Sequence, residues 1–416
     1  MNKPVQLANF FEPATLIDPF DYYQAAHAHA PILPVPQQNL HIVFNYDLIA
    51  EATGRTDEFS NNFGALLGGT RAQDPELRAI LDKGWPAPPT LLTADPPVHT
   101  RFRKLVNLAF SMPRVNAIEA DIRAKVISLI EGFADNGECE FLEEFAVPLP
   151  VSMIAKQIGL EDQLDRVKRW SDSGVDQLSQ MISKERELEC ARDGVEFQHV
   201  IKAKIDERRA HGGDDLLTDL VQARIDGEQP LSDPEIMSIM NQFMVAGNET
   251  TTSTLAGAML QLIRSPDQLA KAAAAAGGKD PKAISNLVEE ALRTETPTAG
   301  MWRLVTRDAD LGGHRLPKGS MLHLRYAAAN RDPAKFPEPD KFDIERGNAR
   351  THLAFGRGIH MCVGNMLSRK EVAVAFDELL ARLTNYSVTD EAAINVPPNM
   401  LLRGITKLPI SFERLA

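Results

Sequence analysis

Apolar residues along the chain recur mostly at intervals of three and four, which is the spacing of one face of an α-helix. This pattern predicts helices over Arg114–Phe133, Glu185–Arg209, Asp233–Ile263 and Ala283–Thr294. The third stretch is long and mostly apolar. We therefore expect it to cross the core, where a helix can line a cofactor pocket.

Strand-like alternation of apolar and polar residues is confined to a few short stretches. It occurs in Pro31–Asn45, in Gly312–Ala329 and in the C-terminal LLRGITKLPISFERL. No Ser/Gly-rich linker, repeat or block of charge divides the 416 residues. The sequence predicts one mainly helical domain over residues 1–416, with a β-rich lobe mainly at 30–60 and 301–325 plus C-terminal strands.

Charge and hydropathy narrow the class of protein. The chain carries 45 Lys and Arg against 57 Asp and Glu, a formal net charge of −12. This balance argues against a nucleic-acid-binding protein. The first residues contain no cleavable apolar core, and no apolar run approaches the ~20 residues of a membrane span. We expect a soluble cytoplasmic protein with no membrane and no nucleic-acid partner.

The three cysteines, Cys139, Cys190 and Cys362, are odd in number and widely spaced, as suits a reducing cytosol. Cys362 follows the turn-forming stretch Phe355–Gly358 and is predicted to begin an amphipathic helix, CVGNMLSRKEVAVAFDELLARL. The positive end of a helix dipole stabilises a thiolate, which can ligate a soft metal or attack a carbonyl. Position alone supports a metal ligand and a buried free cysteine about equally. A nucleophile is less supported, because no Cys-His pairing signature surrounds the residue.

The whole string around this cysteine is more specific than its parts. Phe-Gly-x-Gly-x-His-x-Cys-x-Gly, from Phe355 to Gly364, resembles the haem-binding loop of the cytochrome P-450 family in six fixed residues over ten positions. The resemblance implies that Cys362 is the axial thiolate ligand of a haem iron, which favours cleavage of a bound O–O bond. It also implies that Phe355, His360 and Gly364 belong to the haem site.

A second motif lies inside the long predicted helix. The run AGNETT, from Ala246 to Thr251, is similar to the oxygen-activating acid–alcohol segment of the same family. Glycine inside a helix costs up to ~1 kcal/mol, so the run is unusual for structure alone. A kink in which threonine bonds back to a carbonyl is the structural alternative. The resemblance implies that Gly247 or Ala246 clears space over the iron, while Glu249 and Thr250 handle protons.

A third motif is Glu290 and Arg293, whose i, i+3 spacing places both on one helix face. Alone, such a pair is usually solvated. The resemblance implies a buried structural pair behind the haem, joined by an arginine from the segment PDKFDIER. Lys341 stands at that position and cannot form the bidentate fork of arginine, so either Lys341 or Arg346 completes the network.

The segment TADPPVHTRFRKLV places His99 and Arg103 at i, i+4 on one helix face. Surface basicity is the alternative for its other cations, Arg101 and Lys104. By resemblance, His99 and Arg103 hold a haem propionate together with Arg303 and His360. Cationic donors suit carboxylates because charge-assisted hydrogen bonds are the stronger class.

The family resemblance implies the triangular, mainly α cytochrome P-450 fold with a minor β region, and a haem b enzyme. One atom of O2 would enter an apolar small molecule as a hydroxyl group, and the other would leave as water. Electrons from NAD(P)H would arrive through a separate ferredoxin, or flavodoxin, and its reductase. A peroxide-driven peroxygenase and a non-catalytic haem sensor are the alternatives. Six cations are candidates for a patch that attracts an acidic ferredoxin: Arg101, Lys104, Arg114, Arg357, Arg369 and Lys370.

Substrate identity is constrained only by the predicted pocket walls, which are aliphatic and carry few charges. They include the loop Asn61–Thr70 and the residues Val245, Ala299, Gly300, Met301 and Leu401. A terpenoid, steroid or alicyclic compound fits these walls better than a charged metabolite.

Overall fold

The structure is a computed structural model that describes residues 10–64, 74–179 and 182–415. Helices dominate and the sheets are small, which confirms the mainly α fold class with a minor β region. The chain groups into two compact units. The first comprises Met1–Ser60, Glu119–Pro148 and Thr250–Ala416, and the second Asn61–Ile118 and Leu149–Glu249. A single domain over residues 1–416 stays a prediction.

The first unit contains three sheets built from ten short strands. The strands are β1 (Ile32–Val35), β2 (Leu40–Val43), β3 (Phe59–Ser60), β4 (Glu138–Glu140), β5 (Met301–Val305), β6 (Ala309–Leu311), β7 (His314–Leu316), β8 (Met321–Leu324), β9 (Leu383–Val388) and β10 (Pro409–Arg414). The largest sheet has the order β1-β2-β8-β5-β3, the second β4-β10-β9 and the third β6-β7. In the largest sheet only β2 and β8 run parallel.

The register of the largest sheet decides which side chains share a face. Arg303 on β5 lies opposite Leu322 on β8, and Trp302 lies opposite His323. Successive residues of a strand point to opposite faces. One face therefore packs in a cluster with Val43 and Leu322, and the other packs in a cluster with Ile42 and Trp302. Burial on both faces makes the sheet a firm support for Arg303.

Eight described α-helices belong to the first unit. They are Pro13–Ile17, Phe20–His29, Tyr46–Gly54, Glu119–Phe133, Pro266–Ala275, Pro281–Glu295, Tyr326–Ala329 and Asn365–Arg382. Those that lie mostly in the second unit are Pro75–Leu81, Val98–Ala109, Met112–Ala117, Pro148–Gln157, Leu164–Ser179, Lys184–His211 and Leu216–Gln222.

One helix, Asp233–Arg264, is continuous from the second unit into the first, and we call it the long helix. Its start carries half of a capping box, because the backbone N–H of Ser232 donates to the Glu235 carboxylate at 2.8 Å. Its observed end lies one residue beyond the predicted Ile263. Among the described residues, no helix is both long enough and apolar enough to cross a membrane.

Candidate haem site

The segment Phe355–Gly364, which we call the cysteine loop, turns on two glycines with positive φ. Gly356 has φ +66° and Gly358 has φ +75°, a region that other residues rarely adopt. A Cβ atom at Gly358 would also lie 2.6 Å from the carbonyl oxygen of Thr53. The second glycine of the motif is therefore required by both conformation and space.

Both backbone groups of Cys362 are held by hydrogen bonds. Its N–H donates to the Phe355 carbonyl at 2.9 Å, and its carbonyl accepts from the Asn365 side-chain amide at 2.7 Å. The following helix begins at Asn365, three residues after the predicted start at Cys362. A Cβ atom at Gly364 would lie 4.0 Å from the Cys362 sulfur, which is ordinary van der Waals contact, so space alone does not require glycine there.

The three cysteines lie in different environments. Cys139 and Cys190 are buried, and burial raises the pKa of each thiol. Cys362 is partly exposed. Of the three, Cys362 is the one whose surroundings suit a ligand that must be deprotonated and reachable.

Arg303 provides a test of whether the site suits a group that carries carboxylates. The residue is 3% exposed, and its guanidinium donates to the carbonyl of the neighbouring Trp302 at 2.7 Å. The part of the chain that the structure describes offers it no paired carboxylate. A buried cation is costly without a counter-charge, and a haem propionate would supply one. The donor set, with a cysteine sulfur and a buried arginine in the same unit, therefore fits haem.

The other predicted propionate donors are distributed over both units. His360, in the cysteine loop, is half-buried in the first unit. His99 and Arg103 belong to the helix Val98–Ala109 in the second unit. Burial, and then the charge of Arg103, lower the pKa of His99. His99 is therefore expected to be a neutral donor, and Arg103 carries the positive charge of this pair.

The acid–alcohol segment lies in an unbroken part of the long helix. Ala246 is exposed there, and Glu249 and Thr250 are half-buried, although the helix is otherwise mostly buried. Burial raises the pKa of Glu249, so its carboxyl holds a proton at higher pH than an ordinary glutamic acid. The Thr254 hydroxyl does bond back, donating to the Thr250 carbonyl at 2.8 Å, but the helix continues through both residues.

The Glu290–Arg293 pair is fully buried and closed by Arg346. Arg293 donates to both carboxylate oxygens of Glu290 at 2.8 Å, and Arg346 Nε donates to the same carboxylate at 3.0 Å. The side chain of Lys341 is 55% exposed, whereas its backbone carbonyl accepts from Arg293 at 3.1 Å and from Arg346 at 2.9 Å. Arg346 is thus the third side chain of the network.

The residues predicted to line the substrate pocket differ in burial and in their contacts. Val245 is buried, and its side chain occupies the space that a Cβ on Gly174 would need. Ala299 is also buried, and its N–H donates to the Leu401 carbonyl at 2.7 Å. The neighbouring bridge between Thr298 and Leu402 keeps both residues half-buried.

The remaining wall residues are less uniform. Gly300 is buried against His323, while Met301 is half-buried beside the core of the sheet. The sequence did not predict the bridge from Thr298 to Leu402, because it joins residues about a hundred positions apart. Of the predicted loop 61–70, residues 65–70 lie outside the described part of the chain.

The predicted basic patch is largely neutralised by ion pairs within each unit. Arg101 binds Glu235 at 2.7 Å, and Lys104 binds Glu228 at 2.7 Å. Further pairs join Arg114 to Asp219, Arg369 to Glu289 and Lys370 to Glu119. Five of the six candidate cations therefore have a carboxylate partner, and only Arg357 among them has no ion pair within the described residues.

Comparison with known proteins agrees with the site. The sequence profile of the family "Cytochrome P-450" matches residues 175–412. The chain is 34% identical to the steroid C26-monooxygenase of Mycobacterium tuberculosis over 393 residues, covering 94% of this chain and 92% of that protein. It is also 34% identical to the 6-deoxyerythronolide B hydroxylase of Saccharopolyspora erythraea over 323 residues, which is 77% of each protein.

A solved structure shows the same relationship. A cytochrome P-450 of Chondromyces apiculatus matches with a TM-score of 0.84 and 31% identity, covering 99% of this chain and 98% of that one. The chain belongs to the cytochrome P-450 family. It is an oxidoreductase of the monooxygenase class, which uses haem and O2, receives electrons from redox partners and acts on a small molecule.

Proposed function

We propose that the protein is a haem b monooxygenase that hydroxylates an apolar small molecule of steroid size. The observation that carries this proposal is the cysteine loop, in which two positive-φ glycines and two backbone hydrogen bonds present the Cys362 sulfur. When bound, the haem would supply iron able to activate O2, so that one oxygen atom enters the substrate and the other forms water.

The residues that would hold haem divide by chemistry. Cys362 supplies the sulfur ligand, and Phe355 and Gly364 belong to the loop that shapes its surroundings. Arg303 and Arg103 would bind the propionates as cations, with His360 and His99 as further hydrogen-bond donors. Ala246, exposed on the long helix, offers only a methyl group and leaves room for a flat ring system.

Two consecutive residues of the long helix would manage protons. The Glu249 carboxyl, with its raised pKa, can donate the proton that one of its own oxygen atoms carries and then take up another from solvent. The Thr250 hydroxyl can both donate and accept a hydrogen bond, so Oγ1 can hold a water molecule in line for transfer. These roles are assigned from residue type, exposure and family resemblance.

The substrate class is proposed from two kinds of support. The names of the relatives refer to steroid C26 oxidation and to hydroxylation of 6-deoxyerythronolide B. The half-buried Met301 and Leu402 are apolar and adjoin the buried Ala299 and Leu401 in the sequence or across the bridge to Thr298. We propose that the substrate is a steroid or another polycyclic or terpenoid compound, which the enzyme would hydroxylate to an alcohol.

The electron donor is proposed to be a small ferredoxin, or a flavodoxin, with a reductase that oxidises NAD(P)H, all in the cytoplasm. Five of the candidate surface cations are already paired, so long-range attraction by a basic patch does not support this choice. The support is the family itself, whose members receive electrons from redox partners.

A substrate screen followed by turnover tests the proposal. Steroids and terpenoids would be added to the haem-loaded protein, and compounds that displace the iron-bound water would be found by the change in haem absorption. With ferredoxin, reductase and NADPH, a binding compound should yield one hydroxylated product per NADPH oxidised. Equal product from hydrogen peroxide alone, without reductase, would instead identify a peroxygenase.

A further inference from the structure

Glu289, the residue before the buried Glu290, is the centre of a second buried charge cluster. Its side chain is 1% exposed and accepts from His352 Nε2 at 3.1 Å, from Arg350 Nε at 3.2 Å, and from Arg369 Nε and Nη2 at 2.8 and 3.1 Å. Burial raises the pKa of Glu289, but the hydrogen bonds from His352 and Arg369 outweigh it and hold the pKa at about 2. Glu289 is therefore a carboxylate at neutral pH.

The histidine in this cluster is neutral. Burial lowers the pKa of His352 more than the adjacent carboxylate raises it. Its Nδ1 accepts from the Ala354 N–H at 3.1 Å, which leaves the proton on Nε2 to be donated to Glu289. The positive charge that balances Glu289 must therefore come from the two arginines. Arg369 is the more buried of the two, because its side chain is 24% exposed and that of Arg350 is 71% exposed.

Arg369 connects this carboxylate to both ends of the Cys362 backbone. Its Nη1 donates to the Asn365 side-chain oxygen at 2.8 Å, and the Asn365 amide in turn donates to the Cys362 carbonyl at 2.7 Å. Its guanidinium also lies 4.4 Å from the centre of the Phe355 ring, and the Phe355 carbonyl accepts the Cys362 N–H at 2.9 Å. The two hydrogen bonds that fix Cys362 are thus made by residues in contact with Arg369.

We infer that Glu289 is a positioning residue for the Cys362 sulfur and acts through Arg369. The inference rests on the proposed function, because it assumes that Cys362 ligates the haem iron. The fork of Arg369 is oriented by a bidentate bond to Glu289, and without that bond a long side chain regains its rotamer freedom. Groups that orient a metal ligand tune the ligand's geometry and basicity, and with them the properties of the metal.

The test compares four variants of the haem-loaded protein: Glu289→Gln, Arg369→Gln, Asn365→Ala and the control Arg350→Gln. The control removes an arginine that touches the same carboxylate and Ser285 but has no contact with the cysteine loop in the described structure. The readouts are the absorption band of the reduced carbon monoxide complex, the reduction potential and the haem dissociation rate. Circular dichroism confirms that each variant is folded at the temperature used.

We expect the first three variants to lose part of the thiolate-specific band and to shift the reduction potential in the same direction. Each variant should release haem roughly 10-fold faster than the parent. This is the lower end of the loss in metal affinity that follows mutation of a residue hydrogen-bonded to a metal ligand. Arg350→Gln should match the parent. The double variant Glu289→Gln/Arg369→Gln should be no more shifted than Arg369→Gln alone, because Glu289 acts through that arginine.

Each other outcome is decisive. Spectra and potentials of Glu289→Gln that match the parent would overturn the inference, as would fully additive shifts in the double variant. If Glu289→Gln does not fold, a parent-like Arg369→Gln overturns the inference and a shifted one supports it. A parent protein without the thiolate-specific band would instead overturn the proposed haem–thiolate function itself.

Discussion

At the scale of single residues, the buried charges of this chain differ in how they are neutralised. Glu290 is shared by Arg293 and Arg346, and Glu289 by two other arginines and a histidine. Arg303 has no carboxylate partner within the described residues, although it is equally deep. A structural role explains the paired groups, whereas we expect a carboxylate of the cofactor to balance Arg303.

Removal of Arg346 should destabilise the protein far more than removal of the neighbouring cation. Arg346→Met leaves Glu290 with one arginine and frees the carbonyls of Pro337 and Glu338, so we expect a loss of about 3 kcal/mol. Lys341→Ala, at an exposed side chain, should stay within about 0.5 kcal/mol of the parent. Urea unfolding measures both. Equal effects would contradict the assignment of Arg346 as the third member.

The buried carboxyl of Glu371 should make the stability of the protein depend on pH. It is 4% exposed, and burial raises its pKa from 4.5 to about 8. A raised carboxyl pKa favours the folded state at low pH, and this contribution is lost as pH rises from about 4.5 through about 8. Glu371→Gln should remove that decline. Between pH 5 and pH 8 the free energy of unfolding should therefore fall less in the variant than in the parent, by on the order of a few kcal/mol.

The measurement for Glu371 is urea unfolding at pH 5 and pH 8. The exposed carboxylate of Glu391 provides the control, and Glu391→Gln should follow the parent at both values. A decline with pH in Glu371→Gln as steep as in the parent would show that other groups cause it.

At the scale of elements, the sequence predicted the long helices and the main β regions well but missed the strands β4 and β9. The long helix was predicted to within one residue of its end, since its apolar pattern and cap are local. The predicted helix Arg114–Phe133 is in fact two helices that break at Ile118, where no glycine or proline marks the break. Strand β4 escaped prediction because three residues show no alternation, and its partner β10 lies about 270 residues later.

The site shows the same division between local and distant information. The cysteine loop and the acid–alcohol segment are contiguous motifs, so their resemblance to the motifs of a known family could be seen in the sequence. The link from Glu289 to Cys362 depends on partners 63 and 80 positions away, and no local pattern distinguishes Glu289 from a solvated glutamate. The sequence left Lys341 and Arg346 as alternatives for the third member of the Glu290 network, and the hydrogen bond from Arg346 in the structure decides between them.

The acid–alcohol segment of the long helix gives a prediction about oxygen use. Thr250→Ala should leave haem and substrate binding nearly intact but lower the product formed per NAD(P)H oxidised, with the difference appearing as hydrogen peroxide. A positioned proton donor typically contributes on the order of 10² to 10⁴ in rate. Glu249→Gln, which removes the proton carrier, should instead slow O2 consumption.

The control for this segment is Thr254→Ala, whose hydroxyl donates to a carbonyl of its own helix. This variant should form as much product per NAD(P)H oxidised as the parent. If Thr250→Ala is fully coupled with the true substrate, either Thr251 performs the role or the protons take another route.

At the scale of the whole molecule, the cofactor is expected to contribute to stability by mass action, since haem binds the folded chain. Arg303 separates this contribution from ordinary packing. Arg303→Met removes a buried cation that has no carboxylate partner in the described chain, so the haem-free protein should be as stable as the parent or more so. Haem retention should fall, because a charge-assisted bond worth roughly 1.5–3 kcal/mol is lost.

Thermal unfolding with and without haem checks this pair of expectations. A variant that is less stable without haem and holds haem as firmly as the parent would assign Arg303 a purely structural role. The exposed Arg307, four residues after Arg303 and paired with Asp57 at 2.7 Å, offers the control Arg307→Met. That variant should retain haem like the parent.

The central claim is that the Cys362 thiolate ligates the haem iron, and the absorption spectrum of the reduced carbon monoxide complex measures it directly. The parent protein should show the thiolate-specific band, and Cys362→His should lose that band and all hydroxylation while Cys139→Ser and Cys190→Ser keep both. Retention of the band in Cys362→His would contradict the account.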